Sequence, residues 1–199
     1  MSWERIAPRL EGGIVIVEPL ALGHEEALWQ AAYDPKIWRW MPVNAGESRE
    51  TFALWFAEAL ERTAAGLEQA FAILDAQTGT PIGSTRYLAL RPEHRGLEIG
   101  WTWLASVAWG SGPNVDTKYL LLQHAFEELG CIRVEFKTDA SNERSRAALE
   151  ALPARFEGIF RKHMLVRDGA LRDSAWYAIT DEEWPAVREN LDQRLSALR

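Results

Sequence analysis

A single mixed α/β (α+β) domain is the fold this chain predicts, and three observations carry the prediction. Phe71–Asp75, Ile82–Leu90 and Leu97–Leu104 are short apolar runs separated by turn residues, the pattern of consecutive antiparallel hairpins. A helical pattern from Val115 to Leu129 then connects Leu97–Leu104 to Cys131–Thr138, a crossover long enough to make those two strands parallel neighbours. The 199 residues are 47% hydrophobic, enough for one substantial core, and no linker, repeat or low-complexity tract divides residues 1–199.

Taken in order, Gly13–Pro19 (GIVIVEP) reads as a strand bounded by glycine and proline. His24–Tyr33 reads as a helix that stops at Asp34-Pro35, because the residue before proline is driven out of helical geometry. Lys36–Asn44 is aromatic without a period and is expected to be a loop or a short helical turn. Ser48 and Thr51 announce a helix over Ser48–Ala65, closed by Gly66. The central stretch alternates Leu97, Ile99, Trp101 and Trp103 with Glu98, Gly100 and Thr102, so one buried face is expected. Asn142–Leu152 is a further amphipathic helix, Phe156–Val166 and Leu171–Ile179 flank a hairpin at Asp168-Gly169, and Asp181–Leu198 forms the last helix.

Composition narrows the function. No apolar run reaches membrane-spanning length, and MSWERIAPRLEGG lacks the basic and apolar segments of a signal peptide, so a cytoplasmic protein without a membrane partner is expected. A net charge of −7 argues against nucleic acid as a direct partner. The lone Cys131 excludes an internal disulfide framework and makes a cysteine-based metal site implausible; no metal is expected. His24, His94 and His124 are expected on helix or turn surfaces, and His163 in a polar stretch of a late strand.

After Trp109 the chain reads Gly110-Ser111-Gly112-Pro113-Asn114 and enters a helix. A helix start offers unpartnered N–H groups and the positive end of the peptide dipoles, which suits a phosphate, and small residues before it allow close approach. The same words fit an ordinary strand-to-helix connection.

With Leu97-Glu98-Ile99-Gly100, Trp109-Gly110-Ser111-Gly112, Asn142-Glu143-Arg144-Ser145, Phe156-Glu157-Gly158 and Arg172-Asp173-Ser174 in this order, the chain resembles the GNAT superfamily of acyl-CoA-dependent N-acetyltransferases. Within it, the resemblance is to the ribosomal-protein N-terminal acetyltransferase (RimJ/RimL-like) branch, over roughly Gly13–Trp184. It implies a mixed, mostly antiparallel twisted sheet with flanking helices, in which strands 97–104 and 131–138 splay to admit the pantetheine arm of acetyl-CoA. It also implies pyrophosphate binding by N–H groups of Ser111, Gly112, Asn114 and Val115, close approach at Gly110 and Gly112, and an oxyanion donor on the backbone of Thr102, Trp103 or Leu104. Trp109 stands where the superfamily usually has Arg or Gln but is common in this branch, whereas Pro113-Asn114 departs from its pattern.

Amine attack on a thioester needs positioning, an oxyanion donor, a base and an acid for the leaving thiolate. The superfamily often places a tyrosine seven residues after Asn142, but here that residue is Leu149. The ribosomal branch implies Ser145 as the acid and Asn142 as the residue orienting the pantetheine; the alternative is that Asn142 is an N-cap and Ser145 a first-turn polar residue. Glu98 is the first candidate for the base and for contact with the amine, expected on the same side as Gly100 and Thr102. Trp38, Trp40 and Met41, with the 52–56 helix face and the late hairpin, are expected to form the acceptor site. The expected partners are acetyl-CoA and a primary amine, small or a protein N-terminus, with a homodimer possible. A noncatalytic acyl-CoA sensor with the same fold is the rival reading, and a scaffold that keeps only the fold is a third.

Overall fold

The computed structural model describes Trp3, Ile6 and residues 8–198, so part of the N-terminal stretch read for leader features lies outside the described residues, as does Arg199. An eight-stranded sheet in the order β1-β2-β3-β4-β5-β6-β8-β7 forms the middle of the molecule. The strands are β1 (Leu10–Glu11), β2 (Val15–Pro19), β3 (Gln69–Asp75), β4 (Pro81–Arg91), β5 (Gly96–Leu104), β6 (Arg133–Asp139), β7 (Arg155–Leu165) and β8 (Leu171–Thr180). Every neighbouring pair is antiparallel except β5 with β6, the two strands joined by the crossover.

Helices α1 (Glu25–Ala32), α2 (Pro35–Trp38) and α3 (Arg49–Ala64) cover one face. Asp34 and Ser48 supply the caps of α2 and α3 by accepting the N–H groups of Lys36 and Thr51. Helices α4 (Pro113–Gln123), α5 (Glu143–Ala151) and α6 (Trp184–Ser196) cover the other. The 24–33, 48–65, 142–152 and 181–198 expectations are therefore met within a few residues at each end. The Val115–Leu129 helix is α4 continued by a π-helical turn at His124–Glu128.

Each face has its own core. Val15, Phe71, Tyr87, Leu97, Ile99, Leu121, Val134, Tyr177 and Leu191 pack beneath α4 to α6. Leu28, Trp38, Phe52, Trp55, Phe56, Ala72 and Trp103 pack beneath α1 to α3. Asp116 pins α4 to the sheet edge, its Oδ2 accepting the N–H groups of Ile14 (2.7 Å) and Val15 (2.9 Å). His124 is buried, with Nδ1 3.3 Å from the Tyr87 hydroxyl, which corrects its expected surface position: it follows buried Thr117 and Leu121 at helical spacing on the inward face of α4.

Candidate active site

The sheet opens where its parallel pair ends. Strands β5 and β6 are bonded at Gly96↔Arg133, Leu97↔Val134 and Glu98↔Glu135, and beyond Glu98 they part. A cavity of about 680 Å³ fills the fork, lined on β5 by Ile99 to Leu104 and on β6 by Phe136 to Thr138. Thr102, Trp103 and Leu104 thus line the space their expected role requires.

Along the open arm β5 carries a bulge. Two steps on β4, Ser84 to Arg86, oppose three on β5, Trp103 to Gly100, and Trp101 takes the extra position with φ 51°. The extra residue turns the strand over, so the expected common face for Leu97, Ile99, Trp101 and Trp103 does not exist. Leu97 and Ile99 belong to the α4 side, Trp103 to the α3 side, and Leu104 returns to the α4 side. Thr102 likewise leaves the face of Glu98 and Gly100: its Oγ1 accepts from Lys118 Nζ at 2.9 Å and lies 2.8 Å from Thr85 Oγ1. A bulge leaves peptide groups outside the ladder, and these are at the mouth of the fork.

Glu98 sits at the branch point and is 2% exposed. Its Oε2 takes a hydrogen bond from Lys137 Nζ at 2.8 Å, while Oε1 has no protein partner. Burial raises its pKa above the usual carboxylate value, with Lys137 opposing the rise. Gly100 follows on the same face, where a Cβ would come within 2.9 Å of Oε1. A second cavity of about 300 Å³ shares Leu88, Glu98, Trp101 and Lys137 with the first, so Glu98 lies where the two cavities adjoin. Arg172 of β8 also lines the fork; it is buried with Nε unpartnered, and desolvation lowers its pKa. His163 bonds Ser174 Oγ through Nδ1 at 3.0 Å and is outside the cavity lining.

At the other end, Gly110 and Gly112 adopt φ of 80° and 100°, which permits the sharp entry to α4. A Cβ on Gly112 would lie 2.7 Å from both Ile14 Cδ1 and Leu198 Cδ1. Trp109, Gly110, Gly112, Asn114 and Val115 line the cavity; Ser111 faces outward, its hydroxyl donating to Ala108 O at 3.0 Å. Val115 is corrected as an anion donor, because the first turn is tight and its N–H bonds Gly112 O at 2.9 Å. The backbone N–H candidates at this end narrow to Ser111, Gly112 and Asn114, since Pro113 has none.

Two cations that the sequence reading missed stand beside this turn. Arg144 lies 3.6 Å over the Trp109 ring, whose Nε1 donates to Leu104 O at 2.9 Å. Arg194 of α6 lines the same cavity while its Nη1 holds Ala151 O at 2.8 Å. Asn142 caps α5, its Oδ1 accepting Ser145 N–H at 3.1 Å, which leaves its Nδ2 for a ligand. Ser145, Ala148 and Leu149 line the cavity from the same helix. Glycine turn and arginines at one end, apolar Leu104, Phe136, Ala148 and Leu149 along the middle, and a carboxylate at the far end suit a long ligand with an anionic head and a narrow arm.

The acceptor wall is only partly as expected. Trp40 and Met41 line the cavity with Ile37 and Pro42. Trp38 does not: it is fully buried, its indole N–H donates to Ala32 O at 2.7 Å, and its ring packs 5.3 Å from Trp103 and 5.8 Å from Trp55. The short turn of α2 points Trp38 inward and leaves Trp40 beyond the helix end. Phe52, Trp55 and Phe56 are likewise core rather than wall. The late hairpin does reach this segment, through Arg167 Nη2 bonds to Trp38 O (3.0 Å) and Arg39 O (2.9 Å). Among the described residues, no group of three or more His, Cys, Asp or Glu is arranged to hold a metal ion, and no helix is long and apolar enough to cross a membrane.

Comparison with known proteins points the same way. The profile of the acetyltransferase (GNAT) domain matches residues 15–155, from β2 through the fork and α5. A Bacillus subtilis (strain 168) protein provisionally named a ribosomal N-acetyltransferase, YdaF, is 34% identical over 91 residues, 46% of this chain and 49% of that protein. The chain therefore spans about half the length of the curated relative it matches. A solved structure from T. thermophilus, provisionally named an acetyltransferase, is 42% identical with a TM-score of 0.84, covering 94% of this chain and 96% of that one. Mycobacterium smegmatis RimJ in complex with CoA-disulfide shares the fold at 24% identity, with a TM-score of 0.77 over 94% and 91% of the two chains.

Proposed function

Because the chain belongs to the GNAT acetyltransferase family, we propose that it transfers an acetyl group from acetyl-CoA to a primary amine, by direct attack of the amine on the thioester. The observation that carries this reading is the position of Glu98, a buried carboxylate with one unpartnered oxygen, where two cavities adjoin at the point of separation of β5 and β6. The larger cavity suits the acyl-CoA, and an amine entering it past Trp40 and Met41 would meet the thioester beside Glu98 in the fork.

In this reading the turn at Ser111, Gly112 and Asn114, with Arg144 and Arg194, holds the phosphates. Asn142 Nδ2 orients the arm of the ligand, and the bulge at Trp101 and Thr102 aims peptide N–H groups at the developing oxyanion. Glu98 Oε1 receives the amine and removes its proton, helped by the raised basicity that burial gives it. Ser145 is the group placed to protonate the departing thiolate, since Leu149 offers no hydroxyl. Trp40 and Met41 shield the acceptor from water. Similarity to YdaF favours a protein N-terminus over a small metabolite as the acceptor.

The test is release of CoA thiol from acetyl-CoA in the presence of amines and N-terminal peptides. Acceleration by at least one class, slowed in Ser145→Ala at saturating substrates, supports the reading. Tight acetyl-CoA binding with no amine-dependent release transfers the protein to the sensor reading.

A further inference from the structure

Lysine is scarce in this chain. Of 22 basic residues only four are lysines, at 36, 118, 137 and 162. Lys36 and Lys162 are exposed, while Lys118 and Lys137 both line the fork cavity. Their settings differ. Lys137 places its ammonium on the Glu98 carboxylate, so its charge is met by an opposite one.

Lys118 has no carboxylate within ion-pair distance among the described residues. It projects from α4 to donate a single hydrogen bond to Thr102 Oγ1, 2.9 Å away, and lies 5.5 Å over the Phe136 ring with only 7% of its surface exposed. Thr102 and Phe136 belong to β5 and β6 beyond their last paired residues, so the amine is held between the two arms of the fork. Burial without a counter-charge favours the uncharged amine, and its pKa falls to about 7. A neutral amine donating one N–H keeps a lone pair to use as a nucleophile. Arginine, which the chain uses nearly everywhere else, has no such state.

We propose that Lys118 is a self-acetylation site, whose Nζ attacks the thioester of an acyl-CoA lying in the same cavity. The C–N bond forms as the C–S bond breaks; the proton lost by the nitrogen goes to the departing sulfur, and the products are Nε-acetyl-lysine and free CoA thiol. No oxidant, reductant or other co-reactant is required. The modified side chain is a neutral amide that occupies part of the fork between Thr102 and Phe136, so it slows transfer to an external amine. The proposal rests on the acyl-CoA reading of the cavity given above.

The experiment is incubation of the purified full chain with acetyl-CoA and no amine acceptor. Intact mass should rise by about 42 Da, one acetyl group, and peptide mapping should place it on Lys118. Heat-denatured protein should not gain it there, and Lys118→Arg should abolish it while Lys36→Arg keeps it. Unchanged mass in protein that binds acetyl-CoA by calorimetry overturns the proposal and leaves the cavity reading standing. Modification confined to Lys36, Lys137 or Lys162 also overturns it. Failure to bind acetyl-CoA at all removes both. Localisation in the wild-type chain decides the matter even if a Lys118 variant does not fold.

Discussion

Lys137 Nζ bridges the fork to Glu98 Oε2 at 2.8 Å, linking the two strands just past their last hydrogen-bonded pair. The bridge fixes one carboxylate oxygen and leaves the other buried without a protein partner. It also makes the basicity of Glu98 a balance: burial raises the pKa, Lys137 lowers it, and burial prevails.

Glu98→Gln is therefore expected to lower kcat/KM for acetyl transfer by about a hundredfold or more, within the range of general base catalysis. A base acts deprotonated, so the wild-type rate should fall as pH drops through the raised Glu98 pKa. The pH profile of kcat/KM checks this: the acidic limb should vanish in Glu98→Gln, and its survival would assign the limb to another group.

Lys118→Met should raise the melting temperature, and by less as the medium becomes alkaline. The unfolded lysine keeps its ordinary value of 10.5 and the folded one is near 7, so between these the unfolded chain holds a proton the folded chain lacks. Wild-type stability from this group then rises with pH across that window. Thermal melts of both proteins at neutral and alkaline pH should show the gap narrowing.

Gly112→Ala should weaken acetyl-CoA binding by about tenfold or more, on the order of 1.4 kcal/mol. The new methyl meets Ile14 and Leu198 at 2.7 Å in a conformation with φ of 100°. The strain costs roughly 1–3 kcal/mol of stability as well. Calorimetric titration together with denaturant unfolding separates the two effects.

Trp38→Ala and Trp40→Ala should fail in different ways. Trp38 is enclosed by Trp55, Trp103 and its bond to Ala32, so its removal should cost about 3–5 kcal/mol of folding stability. Trp40 lines the cavity, and its loss should raise KM for the amine with little change in the melt. Equal melts for the two variants would contradict the core placement of Trp38.

Much of the fold was legible because strands and helices announce themselves by period and by punctuation. Ser48, Asp34-Pro35 and the Gly110–Gly112 turn each stop or start an element through local backbone chemistry, and the structure follows them. The bulge was not legible, since Leu97, Ile99, Trp101 and Trp103 keep perfect alternation and the positive φ falls on a tryptophan, where no glycine marks it. Trp38 and Trp40 are chemically alike and differ only in where α2 ends. Arg144 lies in the Asn142-Glu143-Arg144-Ser145 motif, but its stacking on Trp109 depends on two segments meeting across the fork. Lys118 reads as an ordinary helix lysine until the sheet opens beneath it, and Arg194 comes from an element with no motif at all.

The separation of the hydrophobic interior into two cores also has an engineering consequence. Residues 20–64 contribute to the core beneath α1 to α3, whereas the turn, α4 and α5 belong to the opposite side; Trp109 touches both. In the proposed reading, the acceptor wall at Trp40 and Met41 and the phosphate-holding turn thus come from segments whose cores pack separately. A chimera exchanging the first half with that of a homologue, while keeping Trp103 matched to its new neighbours, would be a route to a transplanted acceptor preference on an unaltered second half, if the proposed sites hold.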